Sequence, residues 1–432
     1  LLPIALFPLL GVMKSSEVTI SYANHLVFLY MGGFMIAVTI ERWNLHRRIA
    51  LVTILAVGTS PARIVLGFMV ATAFLSMWIS NTATTMMMLP IGLAVIKQTG
   101  EMLAADSKTR VDSSPGRFQF GTALMLGIAY SASIGGIATL IGTPPNAILA
   151  GVAEETLGRS ISFSDWMVVG TPLSIVMLLV TWIYLTRVAC PSEIRRIPGG
   201  KILIRTELER LGPLSRQELK TGLVFFAVAL AWVTRGLIDL DVFRLVQDST
   251  VAIIGAVLLF LIPAGRKQGA LLDWKTAVRI PWDIILLFGG GFALAAGFNR
   301  SGLTEWLASG LTRFQDTPVL VVIALVSLAV IFLTEMNSNT ATASLTLPIM
   351  AAMAAGIGMD PFTLMVPVAI AASFAFMMPV ATPPNAIVFS SRYVSIPQMA
   401  RIGLWLNLIG CLILVAVVRI LLPLVWDLNP GF

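Results

Sequence analysis

The chain has 432 residues, 57% of them hydrophobic and only 12% charged, about half the charged fraction of a soluble domain. That composition excludes a water-soluble globular protein, and the length excludes a single anchored helix. The net charge of +7 is the excess of Lys and Arg that membrane proteins keep in cytoplasmic connections, so no nucleic-acid partner is expected.

In chain order, apolar runs over 1–12, 22–40, 119–152, 166–186, 219–238, 249–263, 282–298 and 400–425 predict membrane helices. They are continuous, unlike the alternating segments of an outer-membrane barrel. The first run begins at Leu1 without a basic leader, and reads as the remainder of a transmembrane helix rather than a signal peptide. Regions 62–96 and 317–356 are apolar but interrupted near their middles, and 362–391 is broken by Thr382-Pro383-Pro384. The charged stretch Lys201 to Arg210 predicts a short surface helix. Cys190 and Cys411 stand too far apart for a disulfide framework, and His25 and His46 share no ligand motif. Trp43, Trp166, Trp274, Trp282 and Trp426 fall at expected interfaces and read as belt residues. Gly32-Gly33 and Gly289-Gly290-Gly291 read as close helix packing. Asp283, after Pro281-Trp282, reads as a helix cap, and Glu335 as a structural hydrogen-bonding group beside an interrupted segment.

Charge orients these runs. Lys and Arg number three in 41–48, four in 97–118, eight in 187–220, four in 264–281 and two in 392–401, 21 in all. The alternating connections 13–21, 153–165, 239–248, 299–316, 357–361 and 426–432 hold five. This asymmetry obeys the positive-inside rule only if 62–96 enters and leaves from the cytoplasm and 317–356 from outside. Both are therefore expected to be re-entrant hairpins.

The same segments repeat. Gly32-Gly33-Phe34 recurs as Gly290-Gly291-Phe292, Ser80-Asn81-Thr82-Ala83-Thr84 as Ser338-Asn339-Thr340-Ala341-Thr342, and Leu89-Pro90-Ile91 as Leu347-Pro348-Ile349, all 258 residues on. Thr143-Pro144-Pro145-Asn146-Ala147-Ile148 recurs 239 residues on as Thr382-Pro383-Pro384-Asn385-Ala386-Ile387, the polar loop 97–118 absorbing the difference. Residues 22–40 run inward and 282–298 outward by the charge count, so the repeat is inverted. Inverted repeats with interrupted helices at matching positions are the sequence mark of a secondary transporter.

The interruptions are where chemistry is possible. Non-helical backbone at membrane depth must line a cavity or bind something. Proline stops each helix and frees carbonyls upstream; these and the Ser, Thr and Asn oxygens suit a hard monovalent cation such as sodium. The N–H groups of restarting helices suit an anion. No Lys or Arg lies in 64–96, 118–158 or 314–391, so an anion held there needs a co-bound cation. Intramembrane acids are few, which favours sodium over proton coupling.

With these paired motifs, and with Ala372-Ser373-Phe374-Ala375-Phe376-Met377-Met378-Pro379-Val380-Ala381-Thr382-Pro383-Pro384-Asn385-Ala386-Ile387-Val388 throughout, the chain resembles the divalent anion:sodium symporters (Na+/dicarboxylate cotransporters) over nearly its whole length. The resemblance implies an all-α polytopic inverted-repeat transporter with two re-entrant hairpins and two broken helices. It implies one sodium among Ser76, Ser80, Asn81 and Gly142, a second among Thr334, Asn337, Asn339 and Ala381, and substrate carboxylates at Asn81, Thr82, Thr143, Ser338, Asn339, Thr340, Thr382 and Pro383. It implies a homodimer in a bacterial plasma membrane whose transport domain moves elevator-fashion against a scaffold. The expected division is scaffold 1–58, transport domain 59–186, cytoplasmic linker 187–218, scaffold 219–316 and transport domain 317–432. The expected substrate is a C4-dicarboxylate such as succinate, fumarate or malate, since no cationic side chain awaits a third carboxylate. A citrate or sulfate symporter, a dicarboxylate exchanger and a passive anion channel are the alternatives. Nothing resembles an enzyme's nucleophile–base pair or metal motif, and no cofactor is expected beyond sodium as coupling ion.

Overall fold

The computed structural model describes residues 1–58, 60–105, 112–194, 200–235, 246–265, 268–303, 306 and 317–426. Parts of connections 97–118, 187–220, 239–248, 264–281, 299–316 and 426–432, whose charges were counted above, lie outside the described residues.

The described chain is mostly helical. In the first repeat α1 is Leu2–Leu9, α2 Ser15–Tyr22, α3 His25–Arg42, α4 Leu45–Val57, α5 Pro61–Ser76, α6 Asn81–Ala105, α7 Gln119–Ile137, α8 Pro144–Leu157 and α9 Phe163–Ile183. A surface helix α10, Gly200–Arg210, precedes the second: α11 Arg216–Arg235, α12 Asp248–Leu261, the short α13 Trp274–Ala277, α14 Trp282–Arg300, α15 Val319–Met336, α16 Asn339–Gly356, α17 Phe362–Ala371, α18 Pro383–Phe389 and α19 Ile396–Trp426. A two-stranded ribbon, Pro263–Gly265 with Gly269–Ala270, closes the turn before α13. Among the described residues, six stretches are long and apolar enough to cross a membrane: Ser15–Arg42, Gln119–Ile137, Phe163–Ala189, Trp282–Arg300, Val319–Met336 and Ile396–Trp426.

Both interrupted regions are helix–break–helix hairpins. After α5, residues 77–80 leave the helix and α6 restarts at Asn81; after α15, Asn337 and Ser338 do the same before α16. Ser338 caps α16 by accepting a hydrogen bond from Ala341 N at 3.2 Å, as Ser80 does from Ala83 N at 3.2 Å. The breaks before α8 and α18 are likewise held by Thr-Pro-Pro, with proline at the first helical positions where its missing N–H costs nothing.

The two repeats interlock. The restarting helix α8 packs along α16, the tip helix of the other repeat, while α18 packs along α6 and α7. This crossing brings both tips and both breaks to one place. Small residues permit it: a Cβ on Gly135 would lie 2.3 Å from Ala73 O, and one on Gly403 2.1 Å from Phe376 O, so α7 meets α5, and α19 the second break, backbone to backbone. A Cβ on Gly32, in the repeated Gly-Gly-Phe, would lie 2.7 Å from the main chain of Ala252 in α12. At the periphery Arg159 pairs with Asp360 at 2.6 Å and covers the Phe362 ring, tying α8 to the start of α17.

Two expectations need correction. Trp166 is fully buried and donates to Ile137 O at 2.8 Å; it is a core residue fastening α9 to the first break, not an interfacial one. Asp283 does not cap α14, whose N-cap is Pro281. It stands in the first turn, favourably placed for the helix dipole, and faces a cavity. Glu335 does have the structural role expected of it, and both cysteines are free and buried.

Candidate functional site

At the crossing lies a cavity of about 320 Å³. The first tip supplies Ser80, Asn81 and Thr82, and the second Ser338, Asn339 and Thr340. The breaks supply Gly142, Thr143 and Pro144, and Ala381, Thr382 and Pro383. All eight residues expected at the substrate line this one cavity.

Behind each tip the same construction appears. Ser76, fully buried at the end of α5, has its hydroxyl 2.5 Å from the Asn81 side-chain amide and donates to Ala132 O at 2.7 Å. Thr334, fully buried in α15, reaches Asn339 Oδ1 at 2.9 Å and Ala372 O at 2.9 Å. Ser76 and Thr334 are 258 residues apart, as are the two asparagines. Each hydroxyl thus joins a tip asparagine to a main-chain carbonyl just upstream of a break.

Each break is bridged by the asparagine of its Thr-Pro-Pro-Asn motif. Asn146 Nδ2 donates to Gly136 O at 3.1 Å and Thr139 O at 2.7 Å. Asn385 Nδ2 donates to Ala375 O at 2.9 Å and Met378 O at 3.0 Å. These side chains satisfy carbonyls that the missing helix turn leaves free. Thr382 Oγ1 also accepts from Asn385 N at 3.3 Å. The second break has a further support: Glu335, buried, accepts from the N–H groups of Phe376, Met377 and Met378 at 2.7, 2.8 and 3.0 Å. Its counterpart in the first repeat is Met77, whose carbonyl instead accepts from Thr139 Oγ1 at 2.5 Å.

The first tip fits a monovalent cation. The Asn81 amide lies 2.5 Å from Ser76 Oγ, 3.2 Å from Ala132 O and 3.3 Å from Gly142 O. With its nitrogen turned toward them it donates to all three; with its oxygen turned toward them, four oxygens converge, as a hard cation requires. The chain approaches closely there, since a Cβ on Gly136 would meet the Asn81 amide at 2.8 Å and one on Gly142 would meet Gly136 O at 2.4 Å. At the second tip Ala375 and Ala381 occupy the corresponding positions. Asn337 is exposed, in extended conformation at the end of α15, and does not line the cavity.

The remaining wall was not foreseen. Tyr30 and Phe34 of α3, and Asp283, Ile284 and Leu287 of α14, complete the cavity. The Tyr30 hydroxyl, buried, donates to Leu140 O and approaches Thr143 O at 3.1 Å. The signal that could have found this wall is the repeated Gly-Gly-Phe, which begins within two residues of Tyr30 and of Phe288, its edge-on ring partner at 4.5 Å.

Residues 1–426 match the family model described as the sodium:sulfate symporter transmembrane region. The chain belongs to this family. It is a multi-pass membrane transporter and not an enzyme. A protein of Staphylococcus saprophyticus named as a sodium-dependent dicarboxylate transporter, SdcS, is 44% identical over 98% of this chain and 81% of its own length. The protein of that name from Staphylococcus aureus strain MRSA252 is 44% identical over 99% of this chain and 82% of its own. Among solved structures, the fold is shared with the YdaH transporter of Alcanivorax borkumensis, at a TM-score of 0.62 and 13% identity over 99% of this chain and 90% of that one. MtrF of Neisseria gonorrhoeae shares it at a TM-score of 0.61 and 12% identity, over 96% and 83%.

Proposed function

We propose that this chain is a sodium-coupled symporter of C4-dicarboxylates such as succinate, fumarate or malate. The observation that carries the reading is the paired Ser76–Asn81 and Thr334–Asn339 construction. Each asparagine there lines the cavity and is met from behind by a buried hydroxyl that also reaches a main-chain carbonyl. A cation on the oxygen side orients the amide that a carboxylate meets on the cavity side, so each ligand strengthens the other. This is coupling in the thermodynamic sense. Relatives named as sodium-dependent dicarboxylate transporters, at 44% identity, support both the ion and the substrate class.

In this reading the dianion lies between the tips, met by Asn81, Thr82, Asn339 and Thr340, with Ser338, Thr143, Thr382 and Pro383 around it. The two sodium ions lie among Ser76, Ser80, Asn81 and Gly142, and among Thr334, Asn339, Ala381 and the chain at Asn337. Among the described residues the cavity is lined by Thr, Ser and Asn side chains and by Asp283 but by no Lys or Arg, so charge neutrality at the site depends on the cations. Segments 59–186 and 317–432 move as one transport domain against the scaffold of 1–58 and 219–316. Hydrogen bonds between the two transport segments, from Tyr130 to Phe376 O at 2.8 Å and from Thr122 to Tyr393 O at 2.9 Å, support their moving together. The hairpins 62–96 and 317–356 are re-entrant, and the working unit is a homodimer in the plasma membrane.

Radiolabelled succinate uptake into proteoliposomes tests this. Accumulation driven by an inward sodium gradient, abolished when choline replaces sodium and competed by fumarate and malate, is the expected result. Uptake indifferent to sodium would overturn the reading in favour of an exchanger or channel, and competition by sulfate or citrate alone would change the substrate.

A further inference from the structure

The inverted repeat relates the ends of α3 and α14, yet those ends are in different states. His25, the first residue of α3, pairs with Glu154 near the end of α8 at 2.9 Å, and Asn24 reaches the same carboxylate at 3.3 Å. On that side α14 also packs along α8, so closely that a Cβ on Gly151 would lie 2.0 Å from the Phe292 ring. The position 258 residues after His25 is Asp283, in the first turn of α14. Asp283 lines the transport cavity, is exposed, and has no hydrogen bond or ion pair among the described residues.

The position 239 residues after Glu154 is Tyr393, and beside it stands Arg392. The helix α18 ends after two turns and the chain reverses there, with Arg392 in the left-handed region at φ 64°. Arg392 is exposed, and its guanidinium likewise has no partner among the described residues. Its helix packs on α6 and α7 rather than along α3, the contact that would mirror α8 on α14. The two unpartnered groups carry opposite charges and both adjoin connections on the Lys- and Arg-rich side.

We propose that Asp283 and Arg392 are a gate pair, open in this structure, that closes the cytoplasmic side of the cavity when the His25–Glu154 pair on the outer side opens. An inverted repeat generates its second conformation by exchanging the roles of its halves. A contact made by one half then names the contact the other half makes in the alternate state. His25 to Glu154 therefore names Asp283 to the end of α18, where the available partner is Arg392. The inference rests on the alternating-access reading above.

Charge reversal tests it. Asp283→Arg and Arg392→Asp each place like charges at the closing gate, disfavouring the outward-facing state. Each should lower succinate uptake at limiting external sodium by about fivefold, with unchanged melting temperature in detergent. The double reversal should return uptake to within about twofold of the parent. A double variant no better than the worse single variant, or single reversals without effect, would overturn the gate. A merely structural carboxylate in the first turn of α14 would not be rescued by changing Arg392. As a readout independent of substrate, cysteines at 283 and 392, in a background with Cys190 and Cys411 replaced by Ala, should be bridged by a reagent spanning about 10 Å. Bridging should lock transport, and absence of bridging in membranes also overturns the gate. If the parent protein shows no sodium-driven succinate uptake, the functional reading fails while the bridging result still decides the gate.

Discussion

Asn407 Nδ2, in the middle of α19, donates to Glu335 Oε1 at 2.7 Å, on a carboxylate that already accepts three main-chain N–H groups of the second break. A helix distant in sequence thereby braces the one broken segment that carries a buried acid. Removing the carboxylate leaves four donors without a partner in a buried setting. Glu335→Ala is expected to cost roughly 3–5 kcal/mol, and Glu335→Gln distinctly less. Melting temperature in detergent checks this; a melting point for the Ala variant equal to the parent's would refute the bracing role.

The hydroxyls behind the tips offer a finer test. Ser76→Ala and Thr334→Ala each remove the group joining a tip asparagine to a break carbonyl. Each should raise the sodium concentration for half-maximal uptake severalfold, by roughly the 1–2 kcal/mol of one buried hydrogen bond. Maximal rate at saturating sodium should fall less, and Thr334→Ser should behave as the parent. Sodium activation curves at fixed succinate decide it.

Asn81→Ala and Asn339→Ala should damage sodium activation and substrate affinity together, since the proposed function places each side chain between the two. Thr82→Ala and Thr340→Ala should change the KM for succinate more than the sodium requirement. The opposite ranking would mean that the carboxylates lie elsewhere in the cavity.

Backbone approach at the first break gives a steric prediction. A Cβ at position 142 would lie 2.4 Å from Gly136 O, so Gly142→Ala should abolish sodium activation while leaving the protein folded. The matching position in the second repeat, 239 residues on, is a natural alanine, Ala381, which is buried. Sodium-dependent uptake by Gly142→Ala within twofold of the parent would contradict the close approach.

A last prediction concerns pH. Burial alone raises the Glu218 carboxyl, but the Arg48 guanidinium at 2.7 Å and the Ser215 N–H and hydroxyl outweigh it, and the folded pKa lies below the ordinary carboxylate value. The stabilisation is therefore present above the unfolded pKa, and is lost as pH falls through the folded one. Thermal stability of the parent should fall on acidification below about pH 4.5. Glu218→Gln should be less stable at pH 7 and should show a shallower acid decline.

Much of the site was visible in residue order because it is written twice. Ser-Asn-Thr alone is an ordinary polar turn; at a constant spacing of 258, beside a second duplicated Thr-Pro-Pro-Asn, it marks a site. Proline and asparagine at the breaks act locally, through a missing N–H and a side chain that reaches carbonyls seven and ten residues back, so local sequence suffices to announce them. The misplacement of Trp166 has the converse cause. Tryptophan near a predicted span end looks the same whether it meets headgroups or the carbonyl of Ile137, and only packing distinguishes them.

The sequence by itself determined that the chain is a membrane protein, that its helices are interrupted at four places, and that its halves are inverted copies. Composition, helix breaking and repetition are properties of residue order. Only the tertiary structure decided that α8 crosses to α16 and α18 to α6, bringing the four interruptions to one cavity. Only it assigned Ala132 O and Ala372 O, main-chain atoms that no residue type announces, to the two tip clusters. The scarcity of charge is likewise completed by the fold. The sequence leaves the tips without Lys or Arg, and the structure sets an acid, Asp283, unpartnered among the described residues, on the wall facing them, because contacts between distant segments depend on packing rather than on local propensity.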